Sequence, residues 1–195
     1  VTCRLMIFGV LAVLLILFSI FSEYIAPYDP YMQDLDNAKA PPSAAHPMGT
    51  DRYGRDLLSR VIVGSRASIF STLRLVAVIT CFGTAVGIFC GWNGGWLDTV
   101  LMRISDMFLA FPGLVFALAV AGILGGGLQN AIIALAAISW PKYARLARSQ
   151  TLAQKENAYL KAAKLSGSNT AQIILRHILP NILGPILVTA MLDIG

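Results

Sequence analysis

MFLAFPGLVFALAVAGILGGGLQNAIIALAAISWP, residues 107–141, runs for 35 residues without an Asp, Glu, Lys or Arg. At 1.5 Å per helical residue this is about 50 Å of helix, well beyond the roughly 30 Å hydrocarbon core of a bilayer. Gly125, Gly126 and Gly127 interrupt it. Consecutive glycines break a helix, so the run reads as two membrane helices joined by a tight turn.

The same reading extends outward. Residues 5–22 carry no charge, with Arg4 before them and Glu23 after. Eighteen residues give about 27 Å of helix, close to one bilayer crossing. A signal peptide competes for this segment, but the run exceeds the usual apolar length of about 7–15 residues and no small-x-small cleavage pattern follows, so a retained helix is expected. Residues 75–97 form another uncharged stretch, between Arg74 and Asp98. The last, 178–192, stops at Asp193-Ile194-Gly195, short of a comfortable span, and the chain opens on Val1 rather than Met. A piece of a longer protein is therefore expected. The expected helices are 4–22, 68–91, 100–123 with a kink at Pro112, 129–150, and one from about 181 onward. A polar loop fills 23–67 and a basic segment fills 151–180. The expected fold class is all-α, a polytopic transmembrane helix bundle with five helices visible.

Composition supports this. Of 195 residues, 56% are apolar and 13% charged, with a mean hydropathy of +0.70. Soluble domains carry about 25% charged residues. Half that charge does not cover a globular surface of this size, which argues against a soluble enzyme or a disordered chain. Cys3, Cys81 and Cys90 have no ligand spacing, so neither a disulfide framework nor a zinc site is expected. The net charge of +5 lies between apolar runs. It fits lipid headgroups and an aqueous partner protein, and no nucleic-acid partner is expected.

Lys142, Arg145, Arg148, Lys155, Lys161, Lys164 and Arg176 stand against one acid, Glu156, over 142–176. The 23–67 loop has five Lys/Arg and six acids. Lysine and arginine mark the cytoplasmic side. This places 151–180, the N-terminus and the 92–99 turn inside by parity, and 23–67 with the glycine turn outside.

Gly83, Gly87 and Gly91, four apart on one helix, make a small-residue stripe for close helix packing, within this chain or against a second subunit. Asp106 follows Arg103 by three residues, which fits an i,i+3 ion pair at the membrane edge; an intramembrane functional carboxylate is the alternative. His46, Met48 and Asp51 match no standard metal set, and hydrogen bonds that fix the loop are expected instead. His177 is expected to be solvated or hydrogen-bonded. No GxSxG, HExxH or P-loop pattern occurs, so neither ATP hydrolysis nor peptide cleavage is expected of this chain.

Residues 156–181, ENAYLKAAKLSGSNTAQIILRHILPN, read as a helix, a break at Gly167 and a second helix entering the membrane. Ala158, Ala162 and Ala163 gather on one helical face by their spacing, and Gly167 permits a sharp redirection of the chain. The residues alone leave two options open: a protrusion that docks in a groove, or an amphipathic linker lying on the membrane.

The Ala162-Ala163, Gly167 and Leu179-Pro180 skeleton, AA-x3-G-x11-LP, resembles the cytoplasmic EAA loop of bacterial ABC importer permeases. MGTDRYGRDLLSRVIVGSRASI at 48–69, GWNGGWLDTVLMRISDMFLAFP at 91–112 and YARLARSQTL at 143–152 resemble the dipeptide/oligopeptide/nickel branch, and its second, C-type permease most closely. Lys161 stands at the motif's glutamate and His177 at its isoleucine; the alanine pair and the glycine carry the docking geometry.

The resemblance implies a type I importer transmembrane domain over 68–195, preceded by a transmembrane helix and an extracytoplasmic loop over 1–67, with a sixth helix beyond this chain. It implies a permease of the bacterial inner membrane that moves di/oligopeptides or nickel. The implied partners are a second permease subunit in a heterodimer, two ATPases docked on the 151–180 loop, an extracytoplasmic binding protein and membrane lipid. ATP and Mg belong to the ATPases, with no cofactor in this chain. A non-ABC channel and a membrane anchor are the competing functions.

Overall fold

The computed structural model describes residues 2–194, without the side chains of residues 2–5, 7 and 8; Val1, Gly195 and the Cys3 thiol fall outside that description. The described residues form an all-α fold with several apolar helices. Its helices are α1 Thr2–Ile20, α2 Ser22–Ile25, α3 Leu57–Asn93, α4 Gly95–Ala110, α5 Gly113–Ile123, α6 Leu128–Lys155, α7 Ala158–Leu165, α8 Thr170–Ile173 and α9 Leu179–Ile194, with a π-helical segment Ile174–Ile178 joining the last two. Two compact units divide the chain, 1–72 and 73–195.

In the first unit the loop after α2 is a fixed structure. The Tyr28 N–H donates to Ser59 Oγ at 3.1 Å, Lys39 N–H to the Asp51 carbonyl at 2.9 Å and Thr50 N–H to the Ala40 carbonyl at 3.1 Å. Gly54 has φ +74°, and any β-carbon there would collide with the Asp34 backbone, so the turn accepts only glycine. Asp56 caps α3, accepting from the Ser59 N–H at 2.7 Å and the Ser59 hydroxyl at 2.6 Å. That cap sets where α3 begins. The sequence predicts helix two from 68, yet a helix starts where its orphan N–H groups find an acceptor. It starts at Leu57, so 57–67 is helix rather than loop.

In the second unit the core joins Val76, Ile79 and Ile88 of α3, Tyr143 and Ala147 of α6, Leu160 of α7, Ile173, and Ile178, Ile182, Ile186 and Ala190 at the C-terminal end. The expected helix 100–123 is two helices. Phe111 is extended at φ −89°, ψ 144°, as a residue before proline prefers, and α4 and α5 meet at 93°. Pro112 therefore ends a helix rather than kinking one. The expected 129–150 helix runs 128–155. The helix expected from 181 begins at Thr170 and reaches Ile194 over 25 residues. Pro180 has no N–H for the Arg176 carbonyl, and the π segment spans that point in the ladder.

Among the described residues two helices, Leu57–Asn93 and Thr170–Ile194, are long and apolar enough to cross a membrane, and α4 with α5 makes a third if the bent pair is one span.

Candidate functional site

The segment after α6 is built from local hydrogen bonds. At the end of α7 the Gly167 N–H donates to the Lys164 carbonyl and the Ser168 N–H to the Ala163 carbonyl, both at 3.1 Å, with Gly167 at φ +85°. This bond pair is a Schellman closure, and its left-handed position is the one glycine fills without strain. Two residues on, Asn169 caps α8: the Asn169 side chain accepts from the Gln172 N–H at 2.8 Å, and the Gln172 side chain accepts from the Asn169 N–H at 3.0 Å. The redirection is thus fixed by a C-terminal closure and a capping box back to back.

Leu160 anchors α7 in the core. A polar chain ties its base: the Tyr159 hydroxyl donates to Gln154 Oε1 at 2.7 Å, and Asn181 Nδ2 donates to the Tyr159 hydroxyl at 2.9 Å. Ala158, Lys161 and Ala162 are exposed and Ala163 is half-buried. Leu165 is 90% exposed beside the Gly167 turn, and a β-carbon at Gly167 would meet nothing within 4 Å. Leu179 is half-buried and Pro180 exposed at the start of α9. The His177 ring lies 6.1 Å from that of Tyr159. Small side chains, one bare leucine and a fixed bend form an exposed surface, with open space at Gly167.

The glycine stripe faces α6. A β-carbon at Gly83 would lie 2.6 Å from the Trp140 carbonyl oxygen and from Tyr143 Cβ, and one at Gly91 2.8 Å from Thr151 Cβ. One at Gly87 would overlap the Ala144 carbonyl oxygen and sit 2.7 Å from Ala147 Cβ.

Sequence reasoning missed a charge ladder along α6. Lys142 Nζ reaches Asp193 at 2.5 Å, and the Tyr143 hydroxyl donates to the other Asp193 oxygen at 2.7 Å. Arg145 pairs with Asp106. Arg148 grips both Asp98 oxygens at 2.6 Å. Asp106 also lies 3.9 Å from Arg103, so the expected i,i+3 contact is the looser of its two. The signal was the i, i+3, i+6 basic row at 142, 145 and 148, which shares one helical face. The acids that answer it stand about 40 to 50 residues away in the chain.

In the first unit, His46 Nδ1 lies 3.0 Å from Asp56 Oδ1 and its ring 5.0 Å from that of Tyr28. Asp51 is held by Arg55 at 2.7 Å. His46 and Asp51 thus have loop partners. Partial burial pushes the Asp51 carboxyl up, but Arg55 and the N–H groups of Tyr53 and Arg55 outweigh it and hold it at about 2. Burial likewise raises Asp56, while Ser59 and His46 pull it below the usual carboxylate range. Both stay ionised at neutral pH, so the loop keeps its acceptors.

An open apolar groove lies in the second unit, walled by Ile88, Phe89 and Trp92 of α3 and by Leu179, Leu183 and Ile186 of α9. Among the described residues no charged side chain lines it.

Comparison with known proteins gives two family matches. The family described as binding-protein-dependent transport system inner membrane component matches residues 83–195, and the N-terminal TM domain of oligopeptide transport permease C matches residues 5–42. The probable D,D-dipeptide transport system permease protein of Escherichia coli K12 is 46% identical over 187 residues, 96% of this chain and 63% of that protein. The glutathione transport system permease protein of Pectobacterium atrosepticum is 39% identical, with 96% and 62% covered. The dipeptide transport system permease protein of Alkalihalophilus pseudofirmus is 39% identical, with 92% and 59% covered. The chain spans about three fifths of the length of these relatives.

Proposed function

The chain belongs to the family of binding-protein-dependent transport system inner membrane components, and from that premise we propose that it is one permease subunit of an ATP-driven importer. It forms half of the translocation pathway with a second permease subunit. Two cytoplasmic ATPases, which carry the ATP and Mg, grip the segment around α7, and an extracytoplasmic binding protein delivers substrate. Small peptides are the proposed cargo in preference to nickel, because the relatives above are named for dipeptides and glutathione. The permease performs no covalent chemistry; it alternates between inward and outward access.

The observation that carries this reading is α7 itself. A linker lying on a membrane needs neither an anchor in the protein core nor a fixed bend. Here Leu160 turns into the core while Ala158, Ala162 and Leu165 stand exposed on a short, rigidly closed helix. That surface suits the groove of another protein.

The proposed topology crosses the bilayer with five helices: α1, α3, α4 with α5, α6 and α9. It puts the N-terminus and 151–180 in the cytoplasm and 23–56 with the Gly125–Gly127 turn outside. Lys155, Lys161, Lys164 and Arg176 support it. Acids count for little in that rule, so Lys142, Arg145 and Arg148 support it as well, although each pairs with an aspartate on another helix.

Two measurements test the proposal. Disrupting the gene should abolish uptake of radiolabelled dipeptides by intact cells, and undiminished uptake of every dipeptide offered would leave the anchor reading in its place. Single cysteines at Ser43 and Asn169, in a cysteine-free background, should differ toward an impermeant thiol reagent: Ser43 labelled, Asn169 protected. The reverse pattern inverts the topology and removes α7 from the reach of any cytoplasmic ATPase.

A further inference from the structure

We propose that the 92–98 turn and α7 move as one rigid lever, clamped by Lys155 and by the Arg148–Asp98 pair, so that motion imposed on α7 passes to α3 and α4 together. This rests on the docking reading of α7. The turn's own bonds, from the Gly94 N–H to the Cys90 carbonyl and from Asn93 Nδ2 to the Phe89 carbonyl, both at 2.9 Å, tie it back to α3 and do not reach α4. Gly94 and Gly95 follow each other at φ +65° and +70°, and a β-carbon at either would meet nothing within 4 Å. Left alone, two consecutive glycines make a loose joint.

The stiffness comes from α6 on both sides of that joint. Before it, Lys155 Nζ donates to the Trp92 carbonyl at 2.6 Å and lies 5.7 Å from the centre of the Trp92 ring. That carbonyl is among the last of α3 and has no partner within its own helix, and a cation is favoured at this end. After the joint, Arg148 holds Asp98, in the first turn of α4, through two parallel bonds of 2.6 Å. Asp98 is 8% exposed, and such a planar two-point bond fixes direction as well as distance. Arg148 and Lys155 stand seven residues apart, two turns along one face of α6. Between them Thr151 fills the approach of Gly91, 2.8 Å from where its β-carbon would be.

Glu156 and Asn157 then lead from Lys155 into α7, and the Gln154–Tyr159–Asn181 chain braces that step. A push on α7 therefore reaches α4 without bending the glycine joint. The next point where the path gives way is the 93° bend between α4 and α5. Lys155, Arg148 and Asp98 are positioning residues in this scheme.

The test uses the assembled transporter with its ATPases, carrying nitroxide labels at Thr99 and Lys164 and measured by double electron–electron resonance without nucleotide and after trapping with ATP and vanadate. The unaltered complex should give one narrow distance that is the same in both states. Asp98→Asn and Lys155→Met should lose the single narrow peak while the ATPases still co-purify, and the exchange Asp98→Arg with Arg148→Asp should restore it. A role in stability alone would lower the protein level without broadening the distance in the molecules that remain. Lys155→Met removes one cation near the surface and keeps the test open if Asp98→Asn is poorly produced. A narrow distance in both single variants, or a distance that changes between states in the unaltered complex, overturns the lever. Failure of the ATPases to co-purify with the unaltered permease overturns the docking reading beneath it.

Discussion

Gly87→Leu should leave little or no assembled permease in the membrane. At Gly87 the β-carbon itself, before any larger group, overlaps the Ala144 carbonyl oxygen and lies 2.7 Å from Ala147 Cβ. A crowded flexible side chain can rotate aside; a backbone carbonyl can move only with its helix. Overpacking in a close-packed interior costs about 1–3 kcal/mol where neighbours can yield, and here they cannot, so the cost should exceed that range. The displaced helix is α6, which also carries Lys142, Arg145 and Arg148, so three ion pairs would be disturbed together. Gly87→Ala should already lower the amount of extractable, monodisperse protein. Gly184→Ala is the control: a β-carbon there meets nothing within 4 Å, and helix propensity favours the exchange. Size-exclusion profiles and membrane abundance of the three variants decide the matter. Normal abundance and normal uptake in Gly87→Leu would mean that α3 and α6 do not approach as closely as the structure has them.

The stripe at Gly83, Gly87 and Gly91 was legible because its spacing carries a physical need that is local to one helix. Its partner was not, since a glycine stripe admits any small-faced helix. Helix ends were legible only where a local device sets them. Pro112 and the triple glycine were visible as breaks, but the depth of the first break was not: Phe111 turns extended before the proline, and a right-angle bend replaces a kink. The start of α3 was misplaced because absence of charge reports membrane depth, whereas helix start reports capping, here by Asp56. The sequence holds that cap as an Asp three residues before Ser59, but within a polar stretch whose composition reads as loop.

The charge ladder was the largest omission. In the sequence alone Lys142, Arg145 and Arg148 read as a bias of charge across the membrane, which needs no partners. Each is matched by an aspartate from another helix, and no single-sequence period links residues so far apart. The α7 segment lies at the other extreme. Ala162, Ala163, Gly167, Asn169 and Gln172 sit within eleven residues of one another, and their bonds are local enough for spacing to dictate.

Gly167→Val should leave the permease inserted and abundant, yet abolish uptake and weaken co-purification of the ATPases. At φ +85° a β-branched residue is held in a backbone region that L side chains avoid, at a cost of about 1–3 kcal/mol. The chain relieves that strain by leaving the left-handed region. Doing so breaks the Gly167 to Lys164 and Ser168 to Ala163 bonds and re-aims α7 against α8. Nothing else in the chain need respond, because no atom lies within 4 Å of the missing β-carbon; the damage stays in the loop. Gly167→Asn separates conformation from bulk. Asparagine adopts the left-handed region more readily than other non-glycine residues, so it should retain more coupling than valine despite its similar size. Ala163→Asp should act like Gly167→Val by placing an unpaired charge on the surface proposed for ATPase docking, whereas exposed Lys161→Ala should be mild. Uptake and ATPase retention, measured on the same membranes, separate these cases. If Gly167→Val transports normally with its ATPases bound, α7 is a linker and the energy of ATP enters the permease elsewhere.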